Sequence, residues 1–412
     1  MKLLLELPEK KLHANIAITG SKSESNRLLL LQAFFKELEI SNLSNSDDTR
    51  LMQEALNSKE KVVDIHHAGT AMRFLTSYFA VKEGREVVLT GSKRMQERPV
   101  KILVDALRSL GAAISYVNKE GYPPLQIRGK KLTKKEVTVK ANVSSQYLSS
   151  LLLIGSYLDG GIQLNLEGEI TSLPYLKMTM ALLEEIGVSC DFKNNSIRVT
   201  PPKNVEKKKL VVESDWSSAS YFYSLAALAD EANITLSSYK QHSLQGDRIL
   251  AKIYRFFGVE TVFEGEQMTL TKVPDKVAQK GTLLSLDLTE APDIAQTIAV
   301  SCFGAGFGCH LSGLHTLKIK ETDRLVALET ELGKLGAQIR VTDKELFLEP
   351  SEKINSHVAI DTYHDHRMAM AFAPLALKTA IVINEAEVVS KSYPDFWKDM
   401  TLTGMKIETL NA

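Results

Sequence analysis

The sequence predicts an α/β (α+β) protein with two similar halves, each made of three repeats that hold two helices and several strands. The chain has 412 residues, which exceeds one ordinary domain of about 150 residues. Two helix patterns recur along it, and each returns at nearly constant spacing. One repeat of about 70 residues, used six times, therefore accounts for the length.

Helices of the first kind are amphipathic, end in glycine and precede a predicted β-hairpin. Their apolar residues follow helical spacing over 100–110, 175–186, 250–257 and 325–335. The glycines that follow them are 76, 71 and 78 residues apart and are Gly111, Gly187, Gly258 and Gly336. Glycine suits the left-handed residue that ends a helix, and two β-rich runs with a polar turn follow each one.

Helices of the second kind open with small, polar or capping residues and then become apolar. Their starts are 75, 73, 75 and 73 residues apart and lie at Gly69, Ser144, Ser217, Pro292 and Asp365. A related start at Lys22 precedes Gly69 by 47 residues. Because two independent features keep the same spacing, chance recurrence of helices is the less favoured explanation.

The composition disfavours several functional classes. Lys plus Arg and Asp plus Glu both total 50, so the formal net charge is zero, which disfavours a chain-wide nucleic-acid binder. The three cysteines lack metal-ligand spacing and are odd in number, so we expect neither a metal site nor a disulfide scaffold. The same cysteine content predicts a cytoplasmic protein. The most apolar tract, 368–383, is interrupted by proline and lysine, so no membrane segment is predicted.

Cationic and hydroxyl side chains concentrate at the predicted helix starts. A helix N-terminus already attracts anions through its free N–H groups and the helix dipole, so added Arg and Lys indicate ligands with several negative charges. Each residue alone has a simpler interpretation as a cap or a solvated cation, and the shared repeat position is what favours binding. The candidates on this ground are Lys22, Ser23, Arg27, Gly69, Thr70, Arg73, Ser144, Ser145, Gln146, His366 and Arg367, with Lys93, Arg94, Arg98, Ser172, Lys318, Lys320 and Arg324 in the preceding loops.

Two acidic residues are candidates for proton transfer. Asp293 stands at the start of an otherwise apolar helix, where N-terminal capping is the alternative role. Glu321 lies between Lys320 and Arg324, where an ion pair is the alternative. A carboxylate among cations has a low pKa, so Glu321 would need desolvation or a bound anion to act as an acid.

Ten motifs, in order along the whole chain, resemble those of the 5-enolpyruvylshikimate-3-phosphate (EPSP) synthase family. The motifs are GSKSESNR (20–27), HAGTAMRF (67–74), LTGSKRMQERP (89–99), VSSQYLSSLL (143–152), ITSLPY (170–175), ESDWSSASYF (213–222), PDIAQT (292–297), KIKETDRL (318–325), DHRMAMAF (365–372) and SKSYPDFW (390–397). The resemblance implies two domains, 20–212 and 1–19 plus 213–412, each of three βαβαββ units forming an inside-out α/β barrel. It also implies an active site in the interdomain cleft.

The family transfers the enolpyruvyl group of phosphoenolpyruvate to the 5-hydroxyl of shikimate 3-phosphate, releases phosphate and uses no cofactor. By resemblance, Asp293 is the base for the hydroxyl, Glu321 delivers a proton and Lys22 contacts both substrates. The implied shikimate 3-phosphate contacts are Lys22, Ser23, Arg27, Ser144, Ser145, Ser172, Tyr175, Asp293, Thr316 and Lys320. The implied phosphoenolpyruvate contacts are Lys22, Gly69, Arg94, Gln146, Arg324, Arg367 and Lys391, and His366 and Thr70 are further candidates.

The sequence also departs from the family pattern and leaves rival functions open. Thr316 stands where an Asn commonly contacts shikimate 3-phosphate, and His67 replaces an Asn often found before AGT. The rivals are a sister enzyme that enolpyruvylates a UDP-amino sugar, a non-catalytic polyanion-binding protein and an inactive homologue. The sister enzyme normally has a cysteine in a mobile loop, which this chain lacks. We expect a monomer that binds neither nucleic acid nor membrane.

Overall fold

A computed structural model describes residues 1–140, 144–168, 170 and 173–410. The chain divides into two compact units. Met1–Thr19 and Glu213–Ala412 form the C-terminal unit, and Gly20–Val212 forms the N-terminal unit. The chain therefore passes between the units twice, once after Thr19 and once after Val212.

The strands are short and are distributed along the whole chain. They are β1 (Lys2–Glu6), β2 (Lys11–Ile16), β3 (Leu38–Ser41), β4 (Val62–Asp64), β5 (Glu86–Thr90), β6 (Ala113–Tyr116), β7 (Leu125–Arg128), β8 (Glu136–Lys140), β9 (Ile162–Glu167), β10 (Ser189–Lys193), β11 (Ser196–Thr200), β12 (Lys208–Val211), β13 (Glu231–Ser237), β14 (Phe257–Glu264), β15 (Gln267–Val277), β16 (Leu283–Asp287), β17 (Gly308–Ser312), β18 (Ile339–Val341), β19 (Leu346–Leu348), β20 (Val358–Ile360), β21 (Ile381–Ile383) and β22 (Lys406–Leu410).

Helices alternate with these strands. The α-helices are α1 (Lys22–Phe34), α2 (Asp47–Asn57), α3 (Gly69–Val81), α4 (Lys93–Gln96), α5 (Lys101–Ser109), α6 (Ser145–Gly155), α7 (Leu173–Glu185), α8 (Trp216–Leu228), α9 (Leu250–Ile253), α10 (Ala295–Ala305), α11 (Arg324–Lys334), α12 (His366–Phe372) and α13 (Phe396–Thr401). Short 3-10 helices span Gly246–Ile249, Tyr254–Phe256, Pro292–Ile294, His315–Ile319, Ala373–Leu377 and Ala386–Lys391.

One sheet pattern recurs, in which a parallel pair of strands continues into an antiparallel pair. The described strands form five such four-stranded sheets, ordered β4-β5-β7-β6, β8-β9-β11-β10, β2-β13-β15-β14, β16-β17-β19-β18 and β20-β21-β1-β22. Parallel neighbours need a crossover connection, and α3, α6, α10 and α12 supply it within four of these sheets. This repetition confirms the predicted α/β class.

The two passages between the units alter the remaining repeats. Strand β2 pairs in parallel with β13, although α1 and not α8 follows β2 in the chain. Strand β3, which follows α1, pairs in parallel with β12, which precedes α8. The β3–β12 pair forms a two-stranded sheet. The split repeats therefore exchange strands while each unit retains three sheets.

The prediction of the third helix of the first kind is wrong in the length of the helix. The pattern over 250–257 predicted one helix ending before Gly258, but α9 has four residues, and a 3-10 turn and β14 follow it. Gly258 lies inside β14, where its φ of +71° accompanies a register shift between Phe257 and Val259. Glycine serves here as a strand irregularity and not as a helix cap. The other three helices end near Gly111, Gly187 and Gly336, which all have positive φ.

Each unit has its own apolar core, and hydroxyl groups join its inner helices. In the N-terminal unit, Ser77 on α3 forms a short hydrogen bond with Ser150 on α6. In the C-terminal unit, Ser220 on α8 and Thr297 on α10 are 3.0 Å apart. Small paired hydroxyl groups let these helices pack closely without an unsatisfied polar group. Among the described residues, no helix has the length and apolar character needed to cross a membrane.

Gly161→Ala should destabilise the N-terminal unit far more than Gly84→Ala. Both glycines have similar positive φ, +76° and +74°. A Cβ at residue 161 would lie 1.9 Å from the backbone oxygen of Val199, whereas nothing lies within 4 Å at residue 84. We expect a loss of about 1 kcal/mol for Gly84→Ala and at least about 2 kcal/mol more for Gly161→Ala, measured by urea unfolding. Equal losses would contradict this packing.

Candidate active site

Arg324 is the centre of a cluster of charged residues in the C-terminal unit. It is the first residue of α11 and is 2% exposed. Its Nε donates to Asp365 Oδ2 at 2.7 Å, Nη1 to Asp293 Oδ1 at 2.9 Å and Nη2 to Glu321 Oε2 at 2.9 Å. Burial lowers the pKa of Arg324, but the three carboxylates, Asp365 foremost, raise it above its ordinary value. One buried guanidinium therefore orders three acids.

Asp293 lies in the 3-10 helix that precedes α10 and is surrounded by cations. Besides Arg324, Lys320 Nζ lies 3.4 Å from Asp293 Oδ1 and Arg367 Nη2 lies 3.5 Å from Oδ2. Burial would raise the pKa of Asp293, but Lys320, Arg367 and Arg324 hold it well below its usual range. Asp293 is therefore ionised at neutral pH, as a proton acceptor must be.

Glu321 has two cationic partners, Arg324 and Lys391. Lys391 is the last residue of the 3-10 helix Ala386–Lys391. Its Nζ donates to Glu321 Oε1 at 2.8 Å. Burial would raise the pKa of Glu321, but Arg324, Lys391 and then His366 lower it well below its ordinary value. With these partners Glu321 is a carboxylate at neutral pH. An anion that took over Arg324 and Lys391 would raise its pKa and make it a proton donor.

The helix caps explain why these side chains meet. Asp323 caps α11 by accepting from the backbone N–H groups of residues 325 and 326. Asp365 caps α12, where its Oδ1 accepts from Arg367 N at 2.9 Å, and its other oxygen binds Arg324. Through these two bonds Asp365, which is fully buried, connects the N-terminal ends of α11 and α12. His366, 2% exposed, has its Nδ1 3.6 Å from Asp365 Oδ1.

Arg27 is the central cation of the N-terminal unit, and its surroundings differ from those of Arg324. It projects from α1 and is 2% exposed. It donates to the hydroxyl groups of Thr179 (2.7 Å) and Ser149 (3.1 Å) and to the carbonyl oxygens of Ser23 (2.7 Å) and Tyr175 (3.4 Å). All four acceptors, which belong to the described part of the chain, are neutral. Burial therefore lowers the pKa of Arg27 to about 10.

The first turn of α6 supplies hydroxyl and amide groups in the same unit. Ser144 caps the helix by accepting from Gln146 N at 3.4 Å, and Ser145 beside it is 8% exposed. Gln146 Nε2 donates to Thr70 Oγ1 at 3.1 Å, which connects the starts of α6 and α3. At the start of α1, Lys22 Nζ lies 3.5 Å from Asp48 Oδ2.

Gly69, the first residue of α3, lies against a pair of guanidinium groups. An ideal Cβ there would be 2.7 Å from Arg98 Nη1 and 3.3 Å from Arg73 Nη1. Arg73 is 4% exposed and donates to Gly69 O at 2.9 Å. Burial, aided by Arg98, lowers the pKa of Arg73 to about 10. Glycine therefore leaves room for two cations close to the N-terminus of a helix.

The structure brings most predicted residues of each unit together, with three exceptions. Arg94 is exposed on α4, where its Nη1 lies 3.1 Å from Glu97 Oε2. Thr316 is half-buried in the 3-10 helix before Lys320, and its Oγ1 has no hydrogen-bond partner among the described residues. Ser172 lies outside the described residues.

Sequence reasoning did not assign the buried groups that hold the candidate residues. These are Asp48, Ser149, Thr179 and Asp365. The capping position of Asp365, immediately before His366 and Arg367, was the available signal for one of them. In the described part of the chain, no three or more His, Cys, Asp or Glu side chains are grouped so that they could hold a metal ion.

Comparisons with known proteins identify the family. A sequence model of "EPSP synthase (3-phosphoshikimate 1-carboxyvinyltransferase)" matches residues 53–400. A 3-phosphoshikimate 1-carboxyvinyltransferase of Bacteroides fragilis strain YCH46 is 44% identical over 412 residues, with 99% of both chains covered. One of Actinobacillus pleuropneumoniae serotype 5b is 34% identical over 434 residues, with 97% of this chain and 98% of the relative covered. The chain belongs to the EPSP synthase family, which confirms the resemblance of its motifs.

Solved structures support the fold. EPSP synthase from Acinetobacter baumannii superposes with a TM-score of 0.80 at 21% identity, covering 99% of this chain and all of that one. The enolpyruvyl transferase NikO from Streptomyces tendae superposes with a TM-score of 0.73 at 14% identity, covering 100% of this chain and 99% of that one. At these identities the likeness concerns the fold alone.

Arg324→Gln should strongly destabilise the C-terminal unit at pH 7. The change leaves Asp293, Glu321 and Asp365 buried without their shared cation, which we expect to cost about 3–5 kcal/mol. In the parent the pKa values of Asp293 and Glu321 are lowered, so their contribution is present above the unfolded values and is lost only as pH falls below about 4. In the variant these pKa values rise, so its deficit should shrink between pH 7 and pH 5.

Urea unfolding at both pH values measures this effect. Arg340→Gln is the matched control, because that arginine is exposed and lies over the Phe347 ring, so its removal should cost less than about 1 kcal/mol. A loss for Arg324→Gln no larger than that of the control, or one independent of pH, would contradict the assigned role.

Proposed function

We propose that this chain transfers the enolpyruvyl group of phosphoenolpyruvate to the 5-hydroxyl of shikimate 3-phosphate and releases phosphate. The observation that carries the proposal is the grouping of Asp293 and Glu321 around Arg324, with Lys320 and Lys391 beside them. Two acids among cations match a reaction that must remove one proton and deliver another near bound anions. Family membership over the whole chain supports the same substrates.

The reaction begins with substrate anions competing for the cations of the C-terminal cluster. Phosphoenolpyruvate carries a phosphate and a carboxylate, and we propose that Arg324, Arg367 and Lys391 bind them. When these cations turn to the ligand, they stabilise Glu321 and Asp293 less. The pKa values of both carboxyl groups then rise toward the range in which proton transfer is efficient. Binding and acid–base activation would thus be one event.

In the proposed chemistry Asp293 removes the proton of the 5-hydroxyl, and the oxygen attacks C2 of phosphoenolpyruvate. Glu321 donates its proton to C3, so that the double bond becomes a methyl group in a tetrahedral adduct. The adduct then loses phosphate, with the C–O bond electrons leaving on the phosphate oxygen. A C3 proton returns to Glu321, and the proton held by Asp293 passes to the departing phosphate, so both carboxyl groups regain their starting states. The enol ether forms with atoms and charge balanced. The cations stabilise the departing phosphate. Addition followed by elimination involves no net oxidation or reduction, so the reaction needs no redox cofactor.

We propose that the N-terminal unit binds the other anionic groups. Arg27 is a buried cation with neutral acceptors, and Ser144 and Ser145 offer hydroxyl groups at a helix N-terminus. These groups suit the phosphate and carboxylate of shikimate 3-phosphate, with Lys22, Ser23, Ser172, Tyr175, Thr316 and Lys320 as the remaining proposed contacts. Gly69, Thr70, Arg94, Gln146 and His366 complete the proposed set for phosphoenolpyruvate. The proposal includes domains at 20–212 and 1–19 plus 213–412 in a monomeric cytoplasmic enzyme.

Phosphate release from phosphoenolpyruvate and shikimate 3-phosphate tests this function. Asp293→Ala and Glu321→Ala remove the proposed base and acid, and Lys22→Met removes a cation proposed to contact both substrates. We expect kcat to fall by about a hundredfold or more for each acid variant. Asp287→Ala is the control, because Asp287 is exposed and its side chain accepts hydrogen bonds from the neighbouring Thr289 in a turn. UDP-N-acetylglucosamine in place of shikimate 3-phosphate should give no phosphate.

Parent-like turnover in both acid variants would contradict the catalytic assignment. Phosphate release that depends on the UDP-sugar would favour the sister reaction. Substrate binding that persists while turnover is lost would separate chemistry from recognition.

A further inference from the structure

Asp247 is a buried carboxylate of the C-terminal unit that the proposed reaction does not use. It lies in the 3-10 helix Gly246–Ile249, is 7% exposed and accepts a short hydrogen bond from the Ser217 hydroxyl. A serine hydroxyl has one hydrogen, so this bond leaves only oxygen lone pairs for other partners. Arg367 Nη2 donates to the same Ser217 oxygen at 3.3 Å. Asp247, Ser217 and Arg367 therefore form one directed chain of hydrogen bonds.

The loop that carries Asp247 is fixed against the N-terminal end of α8. Gln245 is 6% exposed, its Oε1 accepts from Trp216 N at 2.9 Å, and its Nε2 donates to Ser214 O at 2.9 Å. Ser243 Oγ in turn accepts from Gln245 N at 3.0 Å. The segment that carries Asp247 is thus held by hydrogen bonds of Gln245 that do not depend on the charge of Asp247.

The charges around Asp247 make it responsive to pH. Burial raises the pKa of Asp247 to about 6, and the carboxylates of Asp293 and Asp215 add to the rise. Arg367 and the hydrogen bond from Ser217 act in the opposite direction. Burial lowers the pKa of Arg367, but Asp293 first, with Asp247 and Asp215 among the other contributors, keeps it well above its usual value. Asp247 is therefore largely ionised at pH 7.5 and largely neutral near pH 5.

We propose that Asp247 is a positioning residue that acts through Ser217 to fix the guanidinium of Arg367 for phosphoenolpyruvate. With its single hydrogen committed to Asp247, Ser217 can only accept, and it therefore holds Nη2 of Arg367 in one direction. The second terminal nitrogen of the guanidinium, Arg367 Nη1, donates to the backbone oxygen of Asp293 at 3.2 Å and is fixed by that bond. A guanidinium held at two points loses less conformational freedom when it binds an anion. This inference rests on the proposed function.

Steady-state kinetics of Asp247→Asn and Ser217→Ala test the proposal. Asn keeps an acceptor but loses the charge, and Ala removes the connecting hydroxyl. We expect the KM for phosphoenolpyruvate to rise about tenfold in both, the loss of roughly one charge-assisted hydrogen bond, with the KM for shikimate 3-phosphate changing less than about twofold. Asp399→Asn is the matched control, because Asp399 is a 6% exposed carboxylate that accepts from the Tyr393 hydroxyl at 2.6 Å. It should leave both KM values unchanged.

The pH dependence separates positioning from a purely structural role. The ratio of parent to Asp247→Asn kcat/KM for phosphoenolpyruvate should fall toward one as pH drops from 7.5 to 5, because the parent carboxyl becomes neutral. Titration of phosphoenolpyruvate itself cancels in this ratio. Circular dichroism at each pH confirms that the proteins compared are folded.

Three outcomes would overturn the inference. They are an unchanged KM for phosphoenolpyruvate in both variants, a loss that is the same at every pH, and an equal loss in the Asp399→Asn control. Failure of the proposed function has a different signature, because the parent protein would then release no phosphate from phosphoenolpyruvate and shikimate 3-phosphate.

Discussion

Burial of arginine near the N-terminal ends of helices is the constraint on which the site depends. Arg27 and Arg324 are both 2% exposed, but Arg27 donates to neutral oxygens whereas Arg324 is surrounded by three carboxylates. Desolvation of a cation is costly, and a ligand anion can offset that cost in the N-terminal unit. In the C-terminal unit the anion must instead compete with acids, which is how binding can activate them.

The repeated topology explains why such charges collect in each unit. Each parallel strand pair requires a helix between its strands, and successive repeats orient these helices alike. The hydroxyl pairs between α3 and α6 and between α8 and α10 join residues 73 to 77 positions apart in sequence, which is the repeat length. These contacts at equivalent repeat positions place the helices side by side, and a helix N-terminus attracts anions.

The sequence predicted the repeats and the identity of most site residues, because hydrophobic periodicity, helix caps and motifs are local signals. It failed where distant contacts decide. The pattern around Gly258 could not reveal that tertiary pairing with β15 draws Phe257 into a strand. Periodicity also gave no sign that Asp365 binds Arg324 across 41 positions or that Asp247 binds Ser217 across 30. Arg94, which remains a proposed phosphoenolpyruvate contact, is exposed in the structure and paired with Glu97.

Calorimetric titration of shikimate 3-phosphate into the parent, Arg27→Gln and Arg108→Gln tests the central claim most directly. Arg108 is the control, because it is a half-buried arginine of the same unit. It donates to Ile114 O, and its guanidinium lies over the Tyr116 ring. If the buried charge of Arg27 binds an anionic group of the ligand, Arg27→Gln should raise the Kd about a hundredfold. Arg108→Gln should change the Kd less than about twofold. A Kd for Arg27→Gln equal to that of the parent would contradict the account.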